Sequence, residues 1–533
     1  MPTGAKVAQI AAHSLRDRRN PNYPLKLRET GGAETRKSGF FTASLGRMTT
    51  NLASQLAMFL TRNADNLFRR LAPLLLTVVS AVFTGCATTG TYPSLATQVD
   101  ALVAPLIAAN QFSGAIVLSR NASVLYQRGF GMANHSAGLA FTPDTPSDGG
   151  SLSKTFTAAG ILWLVQEGRI KLDAPVTQYV AAYPHGQTTV RNLISHSNGL
   201  PADYAFFDPF FVQYEVRTTQ AMLQVVAKQT PAPSFVPGTQ YEYSSMGFDV
   251  AALVIESVTG QSYETFLKQR IFSRLGMKNT FARPARLADW IGVRTLGYRW
   301  RDAVWQSFDV FDMEGFLGGS NLYFSASDLG RWASANAAIT ALPAAVVAAG
   351  AHHNLIDGRP SGITGLSWYC DETGMRCYYT GSINAFHSLV YWDRARNESV
   401  ALVINSAMPP WQVITFQRNL VNALAGRPVR LDALPPFVRF SSDTRSGAAG
   451  TYVAQGIGAL TIEASSPRLS LRIDCGLKFD IFQVSRDVFY VPGTDYWLAF
   501  GGDTQPATLY LRSMFLDAPL SRLPDQAQPK TCK

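Results

Sequence analysis

The chain has 533 residues and little charge: Asp, Glu, Lys and Arg make up 16% of it, against 47% hydrophobic residues. That balance excludes a disordered chain, which is too polar to bury a core. No apolar run reaches the roughly 20 residues of a membrane-spanning helix, which excludes a polytopic membrane protein. Cysteine is scarce, five in all, and no two stand at C-x-x-C spacing. His352 and His353 sit in an Ala/Gly-rich connector without matching carboxylates, so no metal site is expected. G-x-S-x-G, G-x-x-x-x-G-K and H-E-x-x-H are also missing, which removes the α/β-hydrolase elbow, the phosphate-cradling loop and the zinc-protease helix.

The formal net charge of +10 would fit a nucleic-acid partner if the excess lay on the folded part. It lies elsewhere: twelve of the 47 basic residues but only four of the 37 acidic ones precede Cys86. The remainder is close to neutral, so DNA and RNA have no electrostatic hold.

Residues 1–85 read as a leader. Arg69 and Arg70 precede a thirteen-residue apolar run, 71–83, then Thr84, Gly85 and Cys86. Such a run is too short to span a bilayer but fits the apolar region of a secretory signal. The small residues before Cys86 resemble the bacterial lipobox, which implies lipidation of Cys86 and an exported protein held by a lipid anchor on the periplasmic face of a bacterial membrane. An ordinary signal peptide is the other reading. The patternless basic stretch before Met58 places the expected start of translation at Met58 or Met48. With Cys86 acylated, an even four cysteines remain, and an oxidising compartment permits two disulfides. Cys370 and Cys377 flank a turn-like insert between two strand-like runs, so a bridge there is expected, and Cys475 with Cys532 would pin the tail.

After a tether, 86–96, helical spacing of apolar residues over 97–110 gives way to two β-rich runs, 113–118 and 124–131, separated by a short polar turn. Residues from 151 to about 168 are helical, and the chain stays mostly helical through Leu275. The β pattern returns over 367–406, followed by an amphipathic helix over 411–425. Strands at both ends with helices between them predict one α/β (α+β) domain, 97–426, whose ends share a sheet. A polar linker, 427–446, leads to short alternating runs punctuated by Gly, Pro and Asp, which predict a small all-β domain over 447–533.

The strongest local signal is Ser151-Leu-Ser-Lys154, opening an apolar helix. A hydroxyl and an amine three residues apart lie on one helical face, so the amine can reach the hydroxyl and take its proton. Alone, the tetrapeptide equally describes a surface helix with serine as its cap. Its neighbours are more specific: Phe112-Ser-Gly-Ala-Ile-Val-Leu118, Phe141-Thr-Pro-Asp-Thr-Pro146, Lys171-Leu-Asp-Ala-Pro-Val176, Leu193-Ile-Ser-His-Ser-Asn-Gly-Leu-Pro201, Pro237-Gly238 leading to Tyr243, and Gly318-Gly-Ser-Asn-Leu-Tyr-Phe-Ser-Ala-Ser-Asp-Leu329.

This ordered series, from about Ala101 to Leu424, resembles the superfamily of serine β-lactamases, penicillin-binding proteins and class C (family VIII-type) esterases. The resemblance implies a β-lactamase/transpeptidase-like fold, an antiparallel sheet flanked by helices with a helical subdomain, and a serine hydrolase without metal or organic cofactor. It implies Ser151 as the acylated nucleophile, Lys154 as its proton acceptor and Tyr243 as the proton shuttle. Ser245 stands where the second motif has asparagine. Tyr379, Thr380 and Gly381 occupy the third, substrate-lining motif, and the backbone N–H groups of Ser151 and Ser382 would form the oxyanion hole. Two departures bear on substrate. Tyr379 replaces a cation that helps to hold a substrate carboxylate, and Ser245 is shorter than the asparagine it replaces. Both weaken the case for efficient β-lactam hydrolysis and leave the acylating residues intact, which leaves an ester or amide as the expected substrate. The alternatives are a β-lactamase or D-alanyl peptidase, and a ligand-binding or regulatory protein that keeps the fold without catalysis.

His196 reads as part of a structural turn and His387 as a half-buried strand position. Tyr204, Phe206, Phe207, Phe210, Phe211 and Tyr214 read as core or lid packing, and any that face the cleft would favour an apolar acyl group.

Overall fold

Helix α1 (Leu95–Ala108) opens the fold, with the Ser94 side chain accepting the Thr97 N–H as its cap. It begins two residues before the periodicity places it, because Ser94 supplies the cap. The computed structural model describes residues 93–429 and 449–522 apart from short internal stretches. The leader, Cys86, Cys475 and Cys532 lie outside the described residues.

The central sheet joins the two ends of the α/β region. Strands β1 (Gly114–Arg120) and β2 (Ser123–Phe130) form a hairpin whose turn residues, Asn121 and Ala122, both have positive φ. Four later strands complete it: β3 (Tyr369–Cys370), β4 (Arg376–Ile383), β5 (Phe386–Asp393) and β6 (Glu398–Ile404). The order is β3-β4-β5-β6-β1-β2, antiparallel throughout, and β1 pairs with β6 from Gly114↔Ile404 to Arg120↔Glu398. This is the long-range pairing expected from β patterns at both ends.

Every residue of β5 and β6 is buried, so these strands read as continuous apolar runs. Alternation still sorts their side chains. Ile116, Leu118, Leu389, Tyr391, Leu402 and Ile404 pack under α1 and the closing helix α5 (Pro410–Leu424). Ala115, Val117, Val390, Trp392, Ala401 and Val403 face the larger core built on α2 (Ser153–Gln166), α3 (Met246–Thr259) and α4 (Ala326–Ala338). Helix α2 lies in the middle of that core: all its residues from Ser153 to Leu164 are buried, so over this stretch no face meets solvent.

From Gly450 to Arg522 eight strands pair in sequence order and close into a barrel, the first (Gly450–Ala454) meeting the last (Asp517–Arg522). Closure leaves no unpaired edge. Among the described residues no helix is long and apolar enough to cross a membrane.

Candidate active site

The turn that carries Ser151 is built from two glycines. Strand Ser147–Asp148 pairs with Leu322–Phe324, and the chain then bends through Gly149 and Gly150 into a 3-10 turn, Gly150–Leu152. A Cβ on Gly149 would lie 2.2 Å from the Phe324 ring, and Gly150 has φ of +52°. The helix therefore starts at Ser153, and Ser151 stands just before it. Asp148, which sequence reasoning missed, accepts the Gly150 N–H at 2.8 Å and faces Arg283 across 3.4 Å, with both side chains buried. Burial raises the Asp148 pKa against the pull of Arg283 and the Gly150 N–H.

One turn on, Lys154 is fully buried. Its Nζ donates to Ser151 Oγ at 3.2 Å, Ser245 Oγ at 2.9 Å and the Gly319 carbonyl at 2.7 Å. All three contacts are to oxygen, so the buried nitrogen is not left without partners. Gly319 is held in turn: Asp249 of α3 accepts its N–H at 2.8 Å, and Thr157 donates to the Gly318 carbonyl at 2.6 Å. Gly318 and Gly319 stood in the sequence only as matching residues. Their part in holding Lys154 needs the fold.

Tyr243 precedes α3 in an irregular segment, with Lys154 Nζ 5.0 Å from its ring centre. Burial pushes its phenol pKa up, but the Lys154 charge and hydrogen bonds with Ser151, Lys154 and Tyr379 outweigh that, and the net shift is below the ordinary tyrosine value. Tyr379 is buried on β4, on the larger-core side of the sheet, and stacks on Tyr369 at 5.2 Å. Thr380 is half-buried.

Gly381 brings β4 onto the serine turn: a Cβ there would stand 1.9 Å from the Gly149 carbonyl oxygen. Ser388 on β5 donates to that same oxygen at 2.8 Å. Ser382 N lies 3.1 Å from the Cβ position of Gly150, so β4 runs against the turn that carries Ser151. Ser382 is exposed, and its Oγ meets His387 Nδ1 at 3.0 Å. His387 is buried rather than half-buried, and burial lowers its pKa to about 4.

The structure thus brings Ser151, Ser245 and Tyr243 to Lys154, and sets Gly381 and Ser382 of β4 against the Gly149–Gly150 turn. His196, read from sequence as a turn residue, stacks on Tyr243. Cys370 and Cys377 are disulfide-bonded and tie β3 to β4. Phe211 is core; Tyr204, Phe206, Phe207 and Tyr214 lie outside the described residues. Among the described residues no cluster of three or more His, Cys, Asp or Glu side chains could hold a metal.

The arrangement can do nucleophilic chemistry: a hydroxyl bonded to a buried lysine, with a tyrosine ring beside that lysine. Comparison with known proteins agrees in family. The Beta-lactamase family model matches residues 99–422. A penicillin-binding protein of Bacillus subtilis (strain 168) is 28% identical over 179 residues, 34% of this chain and 40% of that protein. The chain thus aligns with less than half of that relative's length. The octameric penicillin-binding protein homologue from Pyrococcus abyssi superposes with a TM-score of 0.54 at 20% identity, covering 80% of this chain and 99% of that one. A class C β-lactamase gives 0.51 at 20% identity, covering 62% and 95%. At such identity these two structures speak for the fold alone. The match over most of the α/β region places the chain in the β-lactamase family of serine hydrolases, with the mixed antiparallel-sheet fold of β-lactamases and penicillin-binding proteins.

Proposed function

We propose that this chain is an exported, lipid-anchored serine hydrolase that cleaves an ester or amide through an acyl-enzyme on Ser151. One observation carries the reading: Lys154 Nζ, buried, is bonded at once to Ser151 Oγ and Ser245 Oγ, with the Tyr243 ring centre 5.0 Å from the same nitrogen.

In this mechanism Ser151 Oγ attacks the carbonyl carbon of the substrate and its proton passes to Lys154 Nζ, which acts as the free amine, with Tyr243 as the relay toward the leaving group. The oxyanion that forms is held by the backbone N–H groups of Ser151 and Ser382, where losing one donor typically raises a barrier by about 3 kcal/mol. The tetrahedral intermediate collapses, the acyl bond to the leaving alcohol or amine breaks, and Tyr243 returns the proton to that leaving group. Water then attacks the acyl-Ser151 ester by the reverse proton route and frees the acid. Ser245, Tyr379, Thr380 and Gly381 line the substrate. In this reading the hydrolase spans 97–426, a linker 427–446 and a small β domain 447–533.

A phenol where a cation would hold a carboxylate favours neutral esters and amides over β-lactams and D-alanyl peptides. The same residue, with Ser245, motivates the second reading, a binding protein without turnover. Hydrolysis of p-nitrophenyl butyrate by the wild-type chain and by Ser151→Ala decides. Turnover lost in the variant, with an acyl mass increment on wild-type Ser151, supports the hydrolase. Equal turnover in both would refute the nucleophile, and saturable ligand binding without any mass increment would favour the binding protein.

A further inference from the structure

Tyr243 belongs to no helix or strand, yet a proton shuttle has to be held to within a fraction of an ångström. Both of its peptide flanks and one face of its ring meet the same residue, from a loop nearly fifty positions earlier. The His196 carbonyl accepts the Glu242 N–H at 2.8 Å, and His196 Nδ1 meets the Ser244 N–H at 3.1 Å, so both peptide flanks of Tyr243 are tied to His196. The imidazole lies on the phenol at 4.4 Å between centres, with 24° between the planes, and its ring centre stands 4.9 Å from that of Phe248. His196 is buried and adopts φ of +56°, a backbone state that residues other than glycine seldom enter.

Resting on the acyl-enzyme reading above, we infer that His196 is a positioning residue for Tyr243, its ring setting the tilt of the phenol toward Ser151 while its carbonyl and Nδ1 hold the backbone on either side. Nδ1 stands 3.1 Å from the Ser244 N–H and 3.2 Å from the Ser244 carbonyl oxygen, so either neutral tautomer bonds this residue. Burial, and then the Lys154 charge, keep the imidazole well below its ordinary pKa. A neutral ring stacks on the phenol without bringing a positive charge up to Lys154. Sequence alone could not separate this from a turn, because both uses ask for a histidine in a loop.

The test separates ring from hydrogen bond. His196→Asn suits the left-handed backbone and offers an oxygen to Ser244 but has no ring to stack; it is expected to fold and to lose kcat about 10- to 100-fold with KM for p-nitrophenyl butyrate within about twofold. His196→Phe keeps a ring and removes the hydrogen bond; it is expected to be less stable but closer to wild type in kcat. In a Tyr243→Phe background, His196→Asn is expected to add little further loss, since the group it positions is gone. The inference is overturned if His196→Asn leaves kcat unchanged, if its effect appears only in KM, if it multiplies in full with Tyr243→Phe, or if neither single variant folds. Failure of the acyl-enzyme reading would show separately, as equal turnover in wild type and Ser151→Ala.

Discussion

Gly381 faces the Gly149 carbonyl oxygen so closely that an added Cβ would stand 1.9 Å from it. The contact is backbone against backbone, so no side-chain rotation relieves it, and it sets the distance between the serine turn and the Ser382 N–H. Gly381→Ala is therefore expected to push β4 away from the turn and to lower kcat by about 100-fold, the scale of one lost oxyanion donor. Steady-state kinetics on an activated ester, with circular dichroism to show a folded chain, checks it. A fully active alanine variant would mean that this approach does not set the site.

Tyr379 stands at the third-motif position with a neutral phenol, buried against Tyr369. Tyr379→Lys would supply a charged donor, and a charge-assisted bond contributes about 1.5–3 kcal/mol. Penicillin is expected to acylate the variant about tenfold or more faster than wild type relative to p-nitrophenyl butyrate, read as the rate of covalent mass increase. An unchanged ratio would mean that the missing cation does not decide substrate.

Stability should fall toward acid because of a buried histidine. His387 has its pKa lowered by burial from 6.5 to about 4, so between these values the unfolded chain binds a proton that the native chain refuses. The contribution is complete above about pH 6.5 and is lost as pH falls toward 4. His196, also lowered by burial, acts in the same direction. Urea unfolding of wild type and His387→Gln at pH 7.5 and 5 should show wild type losing about 2 kcal/mol more than the variant over that interval. Parallel losses would place the acid sensitivity elsewhere.

The Cys370–Cys377 bridge closes β3 on β4 beside the Tyr369–Tyr379 stack. Replacing both cysteines by alanine is expected to lower stability by about 2 kcal/mol and to slow turnover by loosening the edge that carries Tyr379. Thermal melts and ester kinetics on the same samples, with and without reductant, report both effects. A reductant that leaves wild type unaltered at full reduction would assign the bridge no part in either.

Much of this was legible along the chain. The hairpin, the later strands and the closing helix follow from apolar periodicity and turn residues, and their joining into one sheet follows from having β patterns at both ends and helices between. Ser151 and Lys154 are three residues apart on one turn, so their meeting is a local fact. The bridge between Cys370 and Cys377 is local as well, since a short turn returns the chain on itself. The histidines were read less well: a bulky polar residue in a loop or on a strand carries no mark of what it packs against.

The sequence by itself determined the elements, the order of the motifs and the residue types able to do acyl chemistry, because these depend on contacts within a few positions. Only the tertiary structure decided that Asp148 braces the Gly150 turn, that Asp249 and Thr157 hold the Gly318–Gly319 loop so that its carbonyl reaches Lys154, and that His196 lies on Tyr243. Each of these partners is far from its counterpart in sequence or points across a turn, and a buried polar group finds its partner only when the core closes around both.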